Sequence, residues 1–390
     1  MELQTSLWIV AGLSMAPAIA QGFGRFAYAL VLPAMRDDLG WSWADAGAMG
    51  TANAIGYLLG ALIAAPVAGR FGAKRVFTAS LVASAVAIAG AAIVSGYWSQ
   101  GALRLIAGLS SGTAFVVGGA LAAAAAAGGG AARAPTAVGI YVAGAGAGIA
   151  LSALFVPPIV VEAGWRGGWI ALGLLSALAT LVAAPAIRRT PEPARRKLGA
   201  PRAGFNVRPI LFELIAYGLM GAGYIAYATF AVAYLRAELG FAPAEVSAFW
   251  AVLGVSAMAS AFVWAPALGR LRGGAGLIAT SLVLTFSVGL LLVEPTRTGA
   301  YVSAALFGGS GLACVTAVTM LARRLYPPEL WTAAIGVLTV SFGAGQIVGP
   351  VLSGFVSDGP HGLRAGLSLS IWIMVAAIAV AALQRERRKL

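Results

Sequence analysis

The chain has 390 residues, of which 60% are hydrophobic and 10% charged; a soluble globular protein carries about 25% charged residues, so a water-soluble domain is excluded. The net charge of +13 at pH 7 raises the question of nucleic acid, but the basic residues neither cluster on one compact domain nor alternate with stacking aromatics, and no nucleic-acid partner is expected. A single cysteine, Cys314, excludes an intramolecular disulfide framework and reads as a small packing residue.

A spanning helix needs about 20 apolar residues because the hydrocarbon core is about 30 Å thick. Cutting the chain at charges and turn residues gives twelve such segments. The first, 8–34, imitates a secretory leader at Ala18-Ile19-Ala20. Glu2, however, stands where a leader is positive, and the apolar run is too long, so it reads as a spanning helix. Segments 44–68, 76–95, 101–125, 136–160 and 167–187 follow. Residues 188–208 hold seven basic residues and one acid, Glu192, and read as a flexible cytoplasmic linker against anionic headgroups. Segments 209–233, 245–268, 276–293, 300–322, 332–356 and 364–383 complete the set, and a short basic tail starts at Gln384.

An even number of spans puts both termini on one side of the bilayer. Of the 26 Lys and Arg residues, nineteen fall in loops on the side of the termini and five, Arg36, Arg166, Arg236, Arg297 and Arg364, on the other. Positive charge marks the cytoplasmic side, so both termini are predicted to be cytoplasmic.

Shifting the chain by 200 residues places Arg36, Leu39, Gly40 and Ala44 on Arg236, Leu239, Gly240 and Ala244, and Asp38, Trp41 and Asp45 on Glu238, Phe241 and Glu245. The register then carries Ala65, Pro66, Gly69 and Arg70 onto Ala265, Pro266, Gly269 and Arg270, and Gly108 onto Gly308. Six helices separate the copies, so they share one orientation about an axis along the membrane normal. The predicted fold is all-α and integral to the membrane: twelve helices in two parallel, pseudo-symmetric six-helix bundles, 1–187 and 209–390. Two such halves around a central site suit alternating access.

The loop Gly69-Arg70-Phe71-Gly72-Ala73-Lys74-Arg75 resembles the cytoplasmic signature of the major facilitator superfamily, with Gly69 standing where that family carries Asp. Arg104 followed by Gly108 is similar to its arginine-glycine motif. Gly345, Gly349, Pro350, Ser353 and Gly354 resemble its Gly-Pro helix-packing motif, whose counterpart in the fifth helix is reduced to Gly144, Gly146 and Gly148. The stretch Gly22-Phe23-Gly24-Arg25-Phe26-Ala27-Tyr28 looks most like the bacterial YbfB/YjiJ-type branch. The resemblance covers the whole chain and implies a secondary transporter of a small solute, with gating or packing roles for Gly69, Arg70, Gly72, Gly108, Gly345, Gly349 and Pro350. It also implies proton coupling, for which Arg25, Arg104 and Glu213 are the candidates. Uptake and export both stay open.

A charge at mid-helix costs roughly 2.5 to 3.5 kcal/mol on insertion scales, so each one is a candidate for function. At about 100° per residue, Ser14, Pro17, Gln21, Arg25 and Tyr28 fall on one stripe of the first helix. Arg25 there contacts solute or a coupling ion, or else satisfies helix carbonyls. Arg104 is taken to point into the same cavity. Two arginines favour an anionic or neutral polar solute, because an organic cation would meet like charge at low dielectric. On the seventh helix Glu213, Tyr217, Tyr224 and Tyr227 share one face; Glu213 is alternatively an acid favoured by the helix N-terminus. Asn53, Tyr57 and Gln346 are further solute-binding candidates, or simple interhelical hydrogen-bonders. The pairs Gly56/Gly60, Gly108/Gly112 and Gly345/Gly349 mark close helix crossings.

Gly108-Leu109-Ser110-Ser111-Gly112 matches a nucleophile-elbow pattern and Gly22-x-Gly24-x-x-Ala27 a dinucleotide fingerprint, but both lie inside predicted spans without a preceding strand. The single histidine, His361, falls in an outer loop, and no His, Cys or carboxylate cluster has metal-ligand spacing. No enzyme activity, cofactor or metal is expected. The expected partners are a small solute, the bilayer and coupling protons, with the protein a monomer. The alternative is a transporter-like receptor, sensor or assembly factor that binds without moving its ligand; no extramembrane signalling domain is evident for it.

Overall fold

The computed structural model of the protein describes residues 2–127, 134–193 and 205–386. Arg133, the linker's Arg195, Arg196, Lys197 and Arg202, and the tail's Arg387, Arg388 and Lys389 lie outside the described residues. All regular elements among the described residues are helical.

The first span is assembled from α1 (Glu2–Leu13), the single turn α2 (Met15–Pro17), a π-helix over Ala18–Phe26 and α3 (Tyr28–Leu39). Pro17 withholds an N–H from the ladder where the wide turn begins, and such π segments recur at functional sites. This corrects the stripe drawn at 100° per residue. Wider turns rotate the positions after Ala18, so Arg25 and Tyr28 meet different neighbours.

Next come α4 (Trp43–Phe71), α5 (Ala73–Gly90) and α6 (Tyr97–Ala127), and then α7 (Ala134–Arg189), 56 residues long. At about 1.5 Å per residue α7 would be far longer than a bilayer is thick. Gly164, at φ 66° and ψ −172°, breaks it into two spans. Across that break the Trp165 indole N–H donates to Asp38 at 2.7 Å, and Arg166 reaches the same carboxylate at 3.3 Å.

A 3₁₀ turn, Arg208–Ile210, leads into α8 (Leu211–Ala237), followed by α9 (Pro243–Arg270), α10 (Ala275–Val293), α11 (Arg297–Leu325), α12 (Trp331–Ser357) and α13 (Gly362–Ala381). Among the described residues ten helices are long and apolar enough to cross a membrane, or eleven with α9, which bends by 47°. Since α7 supplies two spans, the number is twelve, as the hydropathy pattern predicts.

The chain divides into two compact units. One comprises 1–40, 52–199 and 241–258; the other comprises 41–51, 200–240 and 259–390. The start of α4 and the first part of α9 are equivalent under the 200-residue shift, and each belongs to the unit otherwise built from the other repeat's helices.

Within the first unit, α4 and α6 cross where Gly56 and Gly60 meet the carbonyls of Leu105 and Leu109, and Gly108 and Gly112 meet those of Asn53 and Tyr57. A Cβ at any of the four would collide with backbone. Within the second unit, Gly345 and Gly349 press in the same way on Gly218 and Ala222 of α8, and Pro350 is buried. The glycine pairs are therefore close crossings. Gly69 differs, since a Cβ there would meet nothing within 4 Å, whereas Gly72 adopts φ +90° at the turn into α5. Arg70 lies over the ring of its own neighbour Phe71 at 5.3 Å.

The turn into the third helix of each repeat is capped by an acid that follows the sixth. Glu192 accepts from the N–H of Ala73 and, at 3.4 Å, of Lys74, whose ammonium donates to the Arg188 carbonyl at 3.1 Å. In the second unit Glu386 accepts from the Gly273 N–H at 3.0 Å and pairs with Arg272 at 3.6 Å and Arg324 at 3.9 Å.

Candidate solute-binding site

In the first unit the predicted residues assemble as two layers. The upper layer is Arg25, Gln21 and Tyr57. The Arg25 guanidinium lies 5.4 Å from the Tyr57 ring centroid, and Gln21 hydrogen-bonds the Tyr57 hydroxyl. Arg25 is 9% exposed, while Gln21 and Tyr57 are half-buried. Tyr57 also packs against Phe115 at 6.1 Å, which in turn meets Tyr141 at 5.8 Å.

The lower layer is closed. Arg104, 2% exposed, donates to the Gly24 carbonyl of the π-helix at 2.6 Å, and its guanidinium lies 4.7 Å from the Tyr28 ring and 5.4 Å from the Trp169 ring. Tyr28 and Trp169 stack on each other at 6.1 Å. Asn53 is spent on the crossing: its amide N–H donates to the Arg104 carbonyl at 3.1 Å, while its side-chain oxygen is buried without a hydrogen-bond partner. A guanidinium between two aromatic faces gains roughly 2 kcal/mol per desolvated ring contact, which together with the carbonyl bond offsets its burial. The π turn and Arg104 thus belong together.

In the second unit the three tyrosines of α8 form a stack with two phenylalanines. Tyr217 lies on Phe342 at 4.6 Å, Tyr224 on Phe307 at 4.9 Å and Tyr227 on Phe307 at 4.2 Å. The Tyr227 hydroxyl is tied to Ser303 at 2.6 Å, and Ser303 donates to the Ser287 carbonyl at 2.7 Å. Tyr227 is fully buried, and Tyr217, Tyr224 and Gln346 are buried to within a few per cent.

Glu213 lies in the first turn of α8, one turn before Tyr217. It is 1% exposed, its backbone N–H donates to the Gln384 side chain at 3.1 Å, and one carboxylate oxygen has no hydrogen-bond partner among the described residues. Cys314 is buried and donates weakly to the Ser310 carbonyl. Sequence reasoning missed Trp169, Phe115, Phe307 and Phe342. Nothing in one sequence distinguishes an aromatic that packs on an arginine from one that faces lipid. The stretches 108–112 and 22–27 lie in α6 and in the π-helix, which leaves neither the strand-turn-helix setting of a nucleophile elbow nor a dinucleotide turn.

The comparisons with known proteins give the class. The family described as "Uncharacterised MFS-type transporter YbfB" matches residues 4–382, and the chain belongs to it. A Haemophilus influenzae relative described as "Putative metabolite transport protein" is 31% identical over 146 residues, spanning 37% of this chain and 35% of that relative. Among solved structures, a D-xylose-proton symporter matches with a TM-score of 0.77 at 14% identity, covering 99% of this chain and 98% of the other. The nucleoside transporter NupG gives 0.74 at 14% identity, covering 98% of each chain. A bacterial homologue of the human lysosomal transporter Spinster, inward-facing and unoccupied, gives 0.74 at 16%, covering 97% and 96%. The protein is thus a multi-pass membrane protein of the MFS-type transporter family.

Proposed function

We propose that this chain is a secondary active transporter that moves a small organic solute, anionic or neutral and polar, across the bacterial cytoplasmic membrane. Transport proceeds by alternating access of two six-helix halves, 1–187 and 209–390, is linked to protons, and is carried out by a monomer with both termini in the cytoplasm. The observation that carries this reading is the Arg25 layer. A guanidinium at the margin of burial, laid on a tyrosine ring and flanked by Gln21, offers charge, hydrogen bonds and an apolar face at one place.

The sign of the site follows from two buried guanidiniums, Arg25 and Arg104, in one unit. A cationic solute would meet like charge where solvent screens least, while an anion or a polyol would meet donors. The tyrosine faces of Tyr217 and Tyr224 supply a comparable surface in the second unit. Proton linkage draws on Glu213, a buried carboxyl with one oxygen that has no hydrogen-bond partner among the described residues. It also draws on the proton symport in the name of one structural relative. The cytoplasmic placement of the termini draws on the excess of basic residues in loops on their side.

A ligand-induced thermal-stability screen of purified protein tests the sign. Equal panels of organic anions, neutral polyols or nucleosides, and organic cations should yield hits in the first two classes. Hits confined to cations contradict the reading.

A further inference from the structure

The start of α4 is held in the second unit by one carboxylate. Asp358, at the C-terminal end of α12, accepts from the Trp43 N–H at 2.7 Å through one oxygen and from the Ala44 N–H at 3.0 Å through the other. These are orphan donors of the first turn of α4, which no helical carbonyl can satisfy, and a carboxylate there also meets the positive end of the helix. The approach is close because Gly354 lies against the Trp43 carbonyl, where a Cβ would not fit. Two turns further on, Thr51 donates to the Ile347 carbonyl at 2.5 Å, and the Trp43 ring meets Phe230 edge-on at 6.1 Å.

The 200-residue repeat shows that this bond is not part of the common scaffold. Trp43 corresponds to Pro243. A proline at 243 has no N–H to donate, so the same bond cannot form at the start of α9. One of two equivalent contacts has therefore been given a charged clasp and the other has not. Asp358 is solvent-exposed, so its bonds can open to water without stranding a buried charge.

We infer that Asp358 is a releasable lock that holds the outer end of α4 on α12 in one state of the transport cycle and lets go in the other. The inference rests on the transport reading above. α4 also carries Asn53 and Tyr57, so release of its outer end moves a wall of the Arg25 layer.

Spin labels at Ala48 and Phe355, in a Cys314→Ala background, read the separation of the two helices in detergent and in nanodiscs. With Asp358 present a short-distance population should dominate. Asp358→Ala should raise the ratio of long to short distances about tenfold, the effect of losing charge-assisted bonds to two backbone donors. Ala44→Pro deletes one of those donors while keeping a residue the first helical turn tolerates, and should shift the ratio in the same direction; Asp358→Glu should return it toward the parent value. Unchanged distributions in Asp358→Ala and Ala44→Pro, both monodisperse, overturn the lock. If Asp358→Ala does not yield monodisperse protein, Ala44→Pro decides by the same criterion. A shifted distribution in a protein that carries no solute in proteoliposomes upholds the clasp and defeats the transport reading instead.

Discussion

At the scale of single residues, the two buried arginines have different surroundings. Arg104 is enclosed by Tyr28, Trp169 and the Gly24 carbonyl, whereas Arg25 lies at the edge of burial on Tyr57. Arg104→Ala removes a charge-assisted hydrogen bond worth about 1.5 to 3 kcal/mol and two ring contacts, so it should lower the melting temperature in detergent by several degrees. Arg25→Lys should leave melting nearly unchanged and weaken ligand binding about tenfold. An ammonium keeps the charge but loses the planar face and fork that a guanidinium sets against a ring and an anion. Isothermal titration with the best ligand of the screen, beside a melting curve, separates the two arginines. Equal losses of both quantities in both variants would refute the division. The sequence pointed to both arginines, because charge inside an apolar run stands out on any scale. It did not separate their roles. The reason lies in the π-helix, which rotates Tyr28 away from Arg25, and in Trp169, which reaches Arg104 only through the tertiary fold.

At the scale of elements, helix contacts are set by where a Cβ can be accommodated. Gly72, at φ +90°, occupies a conformation that L side chains rarely adopt, and Gly72→Ala should cost about 1 to 3 kcal/mol. Gly69 sits in a helix with nothing near it, and Gly69→Ala should be neutral or stabilise by a few tenths to about 1 kcal/mol. Melting of the two variants side by side checks this; a lower melting temperature for Gly69→Ala would reveal a contact the helix does not show. The spans and glycine crossings were legible because hydrophobic length and small-residue spacing are local patterns. The caps on the third helix of each repeat were not. Glu192 and Glu386 reach Ala73 and Gly273 across more than a hundred residues, and in the sequence they look like ordinary loop acids. Glu192→Ala should remove a cap worth about 1 kcal/mol and show as faster amide exchange in the first turn of α5 than in the unaltered protein.

At the scale of the whole molecule, the 200-residue repeat predicts two equivalent halves and the uneven spread of Lys and Arg predicts a sidedness, without reference to any single contact. The grouping of 41–51 and 241–258 with opposite units was beyond them, since a repeat shows which segments are equivalent and not which neighbours they choose. Solute class is the least legible property, because under the proposed function a few side chains around Arg25 decide it, while most apolar residues serve only to span the bilayer. The most direct measurement is solute flux into proteoliposomes with and without an inward proton gradient, for the unaltered protein and for Arg25→Ala. The account predicts flux of an anionic or neutral polar solute that the gradient changes and that Arg25→Ala lowers at least tenfold. Binding of that solute without any flux, or flux undiminished in Arg25→Ala, would contradict it.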